Sequence, residues 1–264
     1  MNRVYSYKHL ARHSMFNQYS SIFDNRGQSY HQAMLEQPSA RIDEFAHIIN
    51  TANLSPGLKV FDIPSGGGYL KKFIDCDIDI TQVETSKAFY DFAKLDNSVS
   101  HLQCDDVAEL PVSDNTADRI ISLSGLHHIK NRVPFYNEAY RIICPGGLLC
   151  IADVATDSDT GRFLNTFVNQ HGSEGHEGLF ISNHDIAQIK LAGFTINQSE
   201  VIHYHWHYES IENMIDFTKK MFGIDQCTDA DILKGIQQYL GYEVINNRIQ
   251  MAWSLQFIQA AKPE

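Results

Sequence analysis

The spacing of apolar positions changes twice along the chain. Up to residue 55 it is helical. Ile42, Phe45, Ala46 and Ile49 share one helix face, Ser39 is placed to cap its start, and Leu54-Ser-Pro-Gly57 breaks it. Phe16, Tyr19, Phe23 and Tyr30 bring aromatic rings at helical spacing still earlier. From Lys59, short apolar runs at 59–63, 78–83, 99–103, 119–123 and 148–154 read as buried strands, with helical stretches such as 86–94 and 132–143 between them. Strands and helices alternating at this length predict βαβ units and a parallel sheet. Residues 194–204 and 249–260 then read as strands, and 210–222 and 229–240 as helices between them. The expectation is an α/β fold: a doubly wound, seven-stranded, mostly parallel sheet with N-terminal helices and a helical lid inserted before the last, antiparallel strand. The chain reads as one domain over 1–264: a helical cap (1–55), a ligand-binding core (56–208), the lid (209–245) and the last strand (246–264).

Composition narrows the class. With 264 residues, 43% of them hydrophobic, the chain can bury a sizeable core. It has no run of about 18 apolar residues, and its start lacks the apolar middle of a signal peptide, so no membrane association is expected and a cytoplasmic location is. The net charge of -11 opposes polyanions, so no nucleic-acid partner is expected. The five cysteines form no C-x-x-C pair and read as reduced thiols. Nothing here fixes an oligomeric state.

The chemistry centres on Val60-Phe-Asp-Ile-Pro-Ser-Gly-Gly-Gly-Tyr-Leu70, where a strand runs into a glycine-rich turn and an expected helix. Glycines let a backbone come close to a ligand, and a helix start offers free N–H groups. Glu84 ends the next strand about 20 residues on, where an acid can accept both hydroxyls of a ribose. A dinucleotide site would share both features, but Lys71 stands where its third glycine belongs.

The segment resembles the first motif of class I S-adenosylmethionine-dependent methyltransferases, V-L-D-x-G-x-G-x-G, and more closely the small-molecule methyltransferases of type 11. Gln103-Cys-Asp-Asp-Val-Ala-Glu-Leu-Pro111, Ser122-Leu-Ser-Gly-Leu-His-His-Ile129 and Arg141-Ile-Ile-Cys-Pro-Gly-Gly-Leu-Leu-Cys-Ile-Ala-Asp153 are similar to three later motifs, in order, so that the match runs over about 55–155. The resemblance implies a Rossmann-like methyltransferase sheet, S-adenosyl-L-methionine as cofactor and a small-molecule methyl acceptor, with oxygen favoured over nitrogen or carbon. It implies that Asp62 anchors the loop and the methionine amino group, that Gly66 and Gly68 line the methionine part, and that Glu84 holds the ribose. Asp105 would meet the adenine amino group, with Asp106 and Val107 against the ring. Thr85, Ser122 and Ser124 complete the expected cofactor shell, and Tyr19 and Tyr30 are expected lid contacts. Pro64 departs from the pattern. It stands at the family's first glycine and makes the loop stiffer, which leaves open a second reading, a non-catalytic module that binds S-adenosylmethionine or S-adenosylhomocysteine.

Three polar residues are expected beyond the strand ends: His127 and His128 after the fourth strand, and Asp153 at the end of the fifth. Some sugar and phenol O-methyltransferases of the family place a histidine and an aspartate there. By that resemblance one histidine, His128 by preference, is the general base and Asp153 orients it. His203, His205 and His207 alternate with Tyr204, Trp206 and Tyr208, which reads as an amphipathic strand with its aromatic rings turned inward, either packed or lining an acceptor pocket. His171, Glu174, His176 and Glu177 sit in a glycine-rich loop read as a mobile rim. No metal site is expected from either group.

Overall fold

A computed structural model describes residues 17–264; Phe16, one of the aromatic set above, lies outside them. The chain runs α1 (Asn17–Glu36), α2 (Ile42–Ala52), β1 (Lys59–Asp62), β2 (Asp79–Glu84), α3 (Lys87–Ala93), β3 (Ser100–Gln103), β4 (Ala117–Leu123), α4 (Val133–Ile142) and β5 (Ile143–Asp153). A helical segment follows, made of α5 (Asp159–Arg162), a π-helical stretch Phe163–Val168 and α6 (Asn169–His171). Then come α7 (Asn183–Leu191), β6 (Thr195–Tyr208), α8 (Ile211–Phe222), α9 (Asp229–Tyr239), β7 (Tyr242–Ile245) and β8 (Arg248–Ala261).

The strand order is β3-β2-β1-β4-β5-β8-β6. β1 to β5 pair in parallel, and β8 inserts antiparallel between β5 and β6, with Cys150 opposite Gln259 and Tyr204 opposite Trp253. Both faces of the sheet are covered. Val60, Ile121 and Cys150 join one apolar layer, while their neighbours Phe61, Ile120 and Leu149 join the other. This alternation is the two-residue period of a strand, and apolar residues at both phases mark a sheet buried on both sides.

The sequence expectation needs three corrections. The sheet has an eighth strand: β7 closes a hairpin on β8 through Asn246 and Asn247, both at positive φ, where the lid was expected to be helical throughout. Asparagine tolerates that conformation and favours such turns. Helix α2 starts at Ile42 after Arg41, with no side-chain cap, so Ser39 does not cap it. Only the short 3-10 turn Leu70–Phe73 follows the glycines, in the ten residues between Gly68 and β2. No helix start therefore faces a ligand there. Among the described residues no helix is long and apolar enough to cross a membrane.

Candidate functional site

The loops at the carboxyl ends of β1, β2, β4 and β5 meet at one edge of the sheet, where open α/β sheets bind ligands. Asp62 ends β1, 2% exposed, and its Oδ2 finds no hydrogen-bond partner among the described residues. Burial, with Glu84 nearby, holds its carboxyl well above the usual carboxylate range. Glu84 ends β2 fully buried and is saturated. Its Oε1 accepts the backbone N–H of Thr85 and Ser86, both at 2.8 Å. Its Oε2 accepts Gly66 N–H at 2.8 Å and the Tyr19 hydroxyl at 3.2 Å. Burial raises the Glu84 carboxyl to about 7 against the pull of these donors.

Gly66 adopts φ +55° beside open space, so it is glycine for its backbone conformation, whereas a Cβ at Gly68 would meet the Gln82 amide at 2.6 Å. Pro64 is accommodated by a matching gap. A Cβ at Gly125, in the loop after β4, would lie 2.4 Å from the proline ring.

Asp62, Pro64, Gly66 and Ser124 line a cavity of about 50 Å³ with Tyr19 and Tyr30 of α1. That volume suits a few waters, while nucleoside-sized ligands need roughly 300 Å³ or more. The aromatic face of α1 closes the space. The unpaired Asp62 oxygen suits an ammonium group, but the Tyr19 hydroxyl occupies the Glu84 oxygen that a ribose would use. Several expected cofactor contacts lie away from this cavity. Glu84 is shielded by Tyr19, Gly68 packs on Gln82, and Thr85 and Ser122 are buried with unpaired hydroxyls. Asp105 is exposed, the Asp106 side chain accepts Ala108 N–H at 2.9 Å, and Val107 belongs to an apolar layer.

A second cavity, also about 50 Å³, shares Phe23, Tyr30, Arg41 and Ser124 with the first. His127, His128 and His176 line it, facing Trp206, Phe222 and Trp253. Asp153, fully buried, accepts the backbone N–H of Leu126 and His127 and lies 2.6 Å from His127 Nδ1. The aspartate is thus paired with His127, not with the preferred His128, because the short 3-10 turn Leu126–His128 turns the first histidine toward β5. Burial is the main cause holding His128 and His176 well below the usual imidazole range, so both are neutral. His176, read as part of a mobile rim, is 6% exposed and packs on both other histidines. Tyr204 and Trp206 point inward as expected, and both donate to Glu44, which pairs with Arg41.

Sequence reasoning singled out neither Arg26 nor Phe222 and Trp253, and it placed His176 on a rim. Arg26 had a signal, since it falls on the same helix face as Tyr19, Phe23 and Tyr30. A cation inside an aromatic stripe is unusual for a plain core helix.

Residues 61–151 match the family model described as a methyltransferase domain. An arsenite methyltransferase of Halobacterium salinarum is 27% identical over 117 residues, 39% of this chain and 29% of that protein, so the match spans under a third of the relative. The structure of an S-adenosylmethionine-dependent methyltransferase of Thermotoga maritima superposes with a TM-score of 0.62 at 17% identity, covering 92% of this chain and 99% of that one. Phosphoethanolamine N-methyltransferase 2 of Haemonchus contortus, solved with S-adenosylmethionine, gives 0.62 at 17% identity over 94% of this chain and 59% of that one. Family model and fold agree with the site at the sheet edge: residues 61–151 match a methyltransferase domain, and the chain has the fold of these methyltransferase structures.

Proposed function

We propose that the chain transfers a methyl group from S-adenosylmethionine to a small-molecule acceptor, with a hydroxyl oxygen favoured over nitrogen or carbon. The observation that carries this reading is the unpaired, buried Asp62 oxygen, in a cavity that shares a wall with the histidine cavity. When bound, the cofactor supplies a methyl group on a sulfonium that leaves as a neutral thioether. Asp62 receives the methionine ammonium, which relieves the cost of its buried charge. Glu84 receives the ribose once Tyr19 withdraws its hydroxyl, and α1 acts as the lid. The acceptor lies in the second cavity. There Asp153 fixes the His127 ring with its Nδ1 proton toward the carboxylate, so that the Nε2 lone pair is free for the acceptor. Trp206 and Trp253 stack at 4.2 Å and give the acceptor an apolar wall. Alignment of the two reactants supplies most of the rate, up to roughly 7–11 kcal/mol.

Calorimetry with S-adenosylhomocysteine and NAD tests the cofactor. Binding at micromolar affinity with no response to NAD is expected, and the reverse sinks the reading. Screening hydroxylated compounds for release of S-adenosylhomocysteine then identifies an acceptor. On that acceptor His127→Ala should lose about 10²–10⁴ in turnover while still binding cofactor. Near-normal turnover would remove His127 from the chemistry.

A further inference from the structure

The histidine cluster carries more than a place for an acceptor. His127, His128 and His176 each offer a ring nitrogen, and these nitrogens lie within 4.8 Å of one another. Two of the three rings have a tautomer fixed by their surroundings. Asp153 accepts four N–H contacts, three from backbone and one from His127 Nδ1, so that ring nitrogen carries the hydrogen. His176 Nδ1 is 2.9 Å from Asn165 Oδ1. The same Asn165 oxygen accepts the backbone N–H of His176's neighbour Gly178 at 2.8 Å, while the Asn165 amide donates to Gly178 O at 2.8 Å. The carboxamide is therefore pinned with its oxygen toward His176, and His176 Nδ1 is a donor. Both rings are left with Nε2 lone pairs. The His128 ring makes no hydrogen bond to another described residue, although it is 8% exposed. Ring lone pairs brought this close repel one another unless an electron-pair acceptor sits between them.

We infer that His127, His128 and His176 bind a divalent transition-metal ion, zinc by preference, with an open coordination position toward the acceptor cavity. Zn–N bonds are about 2.0–2.1 Å, so each ring needs to shift by less than about 1 Å to share one ion. Three protein ligands with one position open is the pattern of a catalytic zinc site. Histidine ligands whose second nitrogen donates to a carboxylate or a carbonyl oxygen are the usual outer arrangement of such sites, and Asp153 and Asn165 supply both. Two cations line the same cavity: Arg41 is neutralised by Glu44, and Arg26 remains near His128 and His176. That charge favours an acceptor whose donor atom is anionic when bound, which means a hydroxyl, thiol or carboxylate compound. The inference deepens the methyltransferase reading through this acceptor class and replaces the base role of His127, whose Nε2 lone pair goes to the ion while the open coordination position takes the acceptor; the metal site itself stands on the histidine geometry.

The test uses the full chain, stripped with a chelator and titrated with Zn²⁺ and with Co²⁺. One equivalent per chain should bind, Co²⁺ should give the intense visible bands of a four-coordinate ion, and X-ray absorption at the zinc edge should count three imidazoles. His176→Ala should weaken binding at least 100-fold, and Asn165→Ala about 10–100-fold. Binding of S-adenosylhomocysteine by the same variants shows that they are folded, and its loss in the wild-type protein would strike the cofactor reading, not this one. Less than a tenth of an equivalent bound, fewer than three imidazoles, or stoichiometric Co²⁺ binding that survives in His127→Ala/His176→Ala would overturn the metal site. If His176→Ala does not fold, the imidazole count on the wild-type protein decides.

Discussion

Asp62 and Glu84 end adjacent parallel strands, and both are buried, yet their surroundings are opposite. Asp62 has an oxygen with no partner. Glu84 takes three backbone N–H groups and a tyrosine hydroxyl. The loop geometry explains the split. After β2 the chain turns directly into α3, capped by Ser86, which delivers two N–H groups to Glu84. After β1, Pro64 has no N–H to give, and Ser65 N–H goes to Val83 O at 2.9 Å. One carboxylate therefore holds the loops together, and the other keeps a buried oxygen without a partner among the described residues.

The largest expected effect separates the two. Glu84→Ala strands three backbone donors, at about 1–3 kcal/mol for each buried group left unpaired. Part of this is offset by removal of a buried charge, so a net loss of about 2–4 kcal/mol of folding stability is expected. Asp62→Asn replaces a carboxyl whose Oδ2 has no partner among the described residues, so apo stability should hold or rise. The same change should weaken S-adenosylhomocysteine by about 1.5–3 kcal/mol, roughly 10–150-fold. Chemical denaturation and calorimetry on both variants read the contrast. Equal stability losses would show that Asp62 is structural as well.

The contrast also explains what could be read from sequence. Asp62, the glycine turn and Glu84 lie close together in sequence and their residue types declare them, and the strands up to β5 show as short apolar runs. The acceptor side does not. His176 lies 48 residues after His128, and its partner Asn165 is on a helical segment with no motif. Trp206 and Trp253 meet across β6 and β8 only once the last strand has inserted. Asn246-Asn247 could have revealed β7. Tyr19 was expected at the lid through the family resemblance, and its helical spacing did not reveal its hydrogen bond to Glu84.

A medium effect follows from titration. Burial raises Glu84 to about 7, whereas an unfolded glutamate titrates near 4.3. The folded value is the higher one, so the group's contribution to stability is complete below about 4.3 and is lost as pH rises through 7. Binding has the opposite sign, because ribose hydroxyls donate to the ionised form. Asp62, Tyr19 and Cys104 face Glu84 from β1, α1 and the loop after β3, and Asp62, also raised, acts in the same direction. S-adenosylhomocysteine affinity should therefore rise with pH up to about 7 and then level off, with proton release in calorimetry. Glu84→Gln should flatten this curve, and an unchanged slope would place the titration on Asp62.

The smallest effect tests whether Tyr19 stands in for the ribose. Its hydroxyl takes the Glu84 oxygen that also accepts Gly66 N–H, so cofactor and tyrosine compete for one acceptor. Opening that contact costs about one neutral-donor hydrogen bond to a carboxylate, less whatever water returns to each group. Tyr19→Phe keeps the ring against Phe23 and His128, where centroids lie 4.7 and 5.9 Å away, and so preserves the packing of α1. It should lower apo stability by about 0.5–1.5 kcal/mol. By the same linkage it should tighten S-adenosylhomocysteine by up to that amount, roughly 2–10-fold, because the bound state no longer has to break the contact. Weaker binding in Tyr19→Phe would mean that the hydroxyl touches the cofactor in the closed state, so that α1 would grip the ligand instead of filling its place.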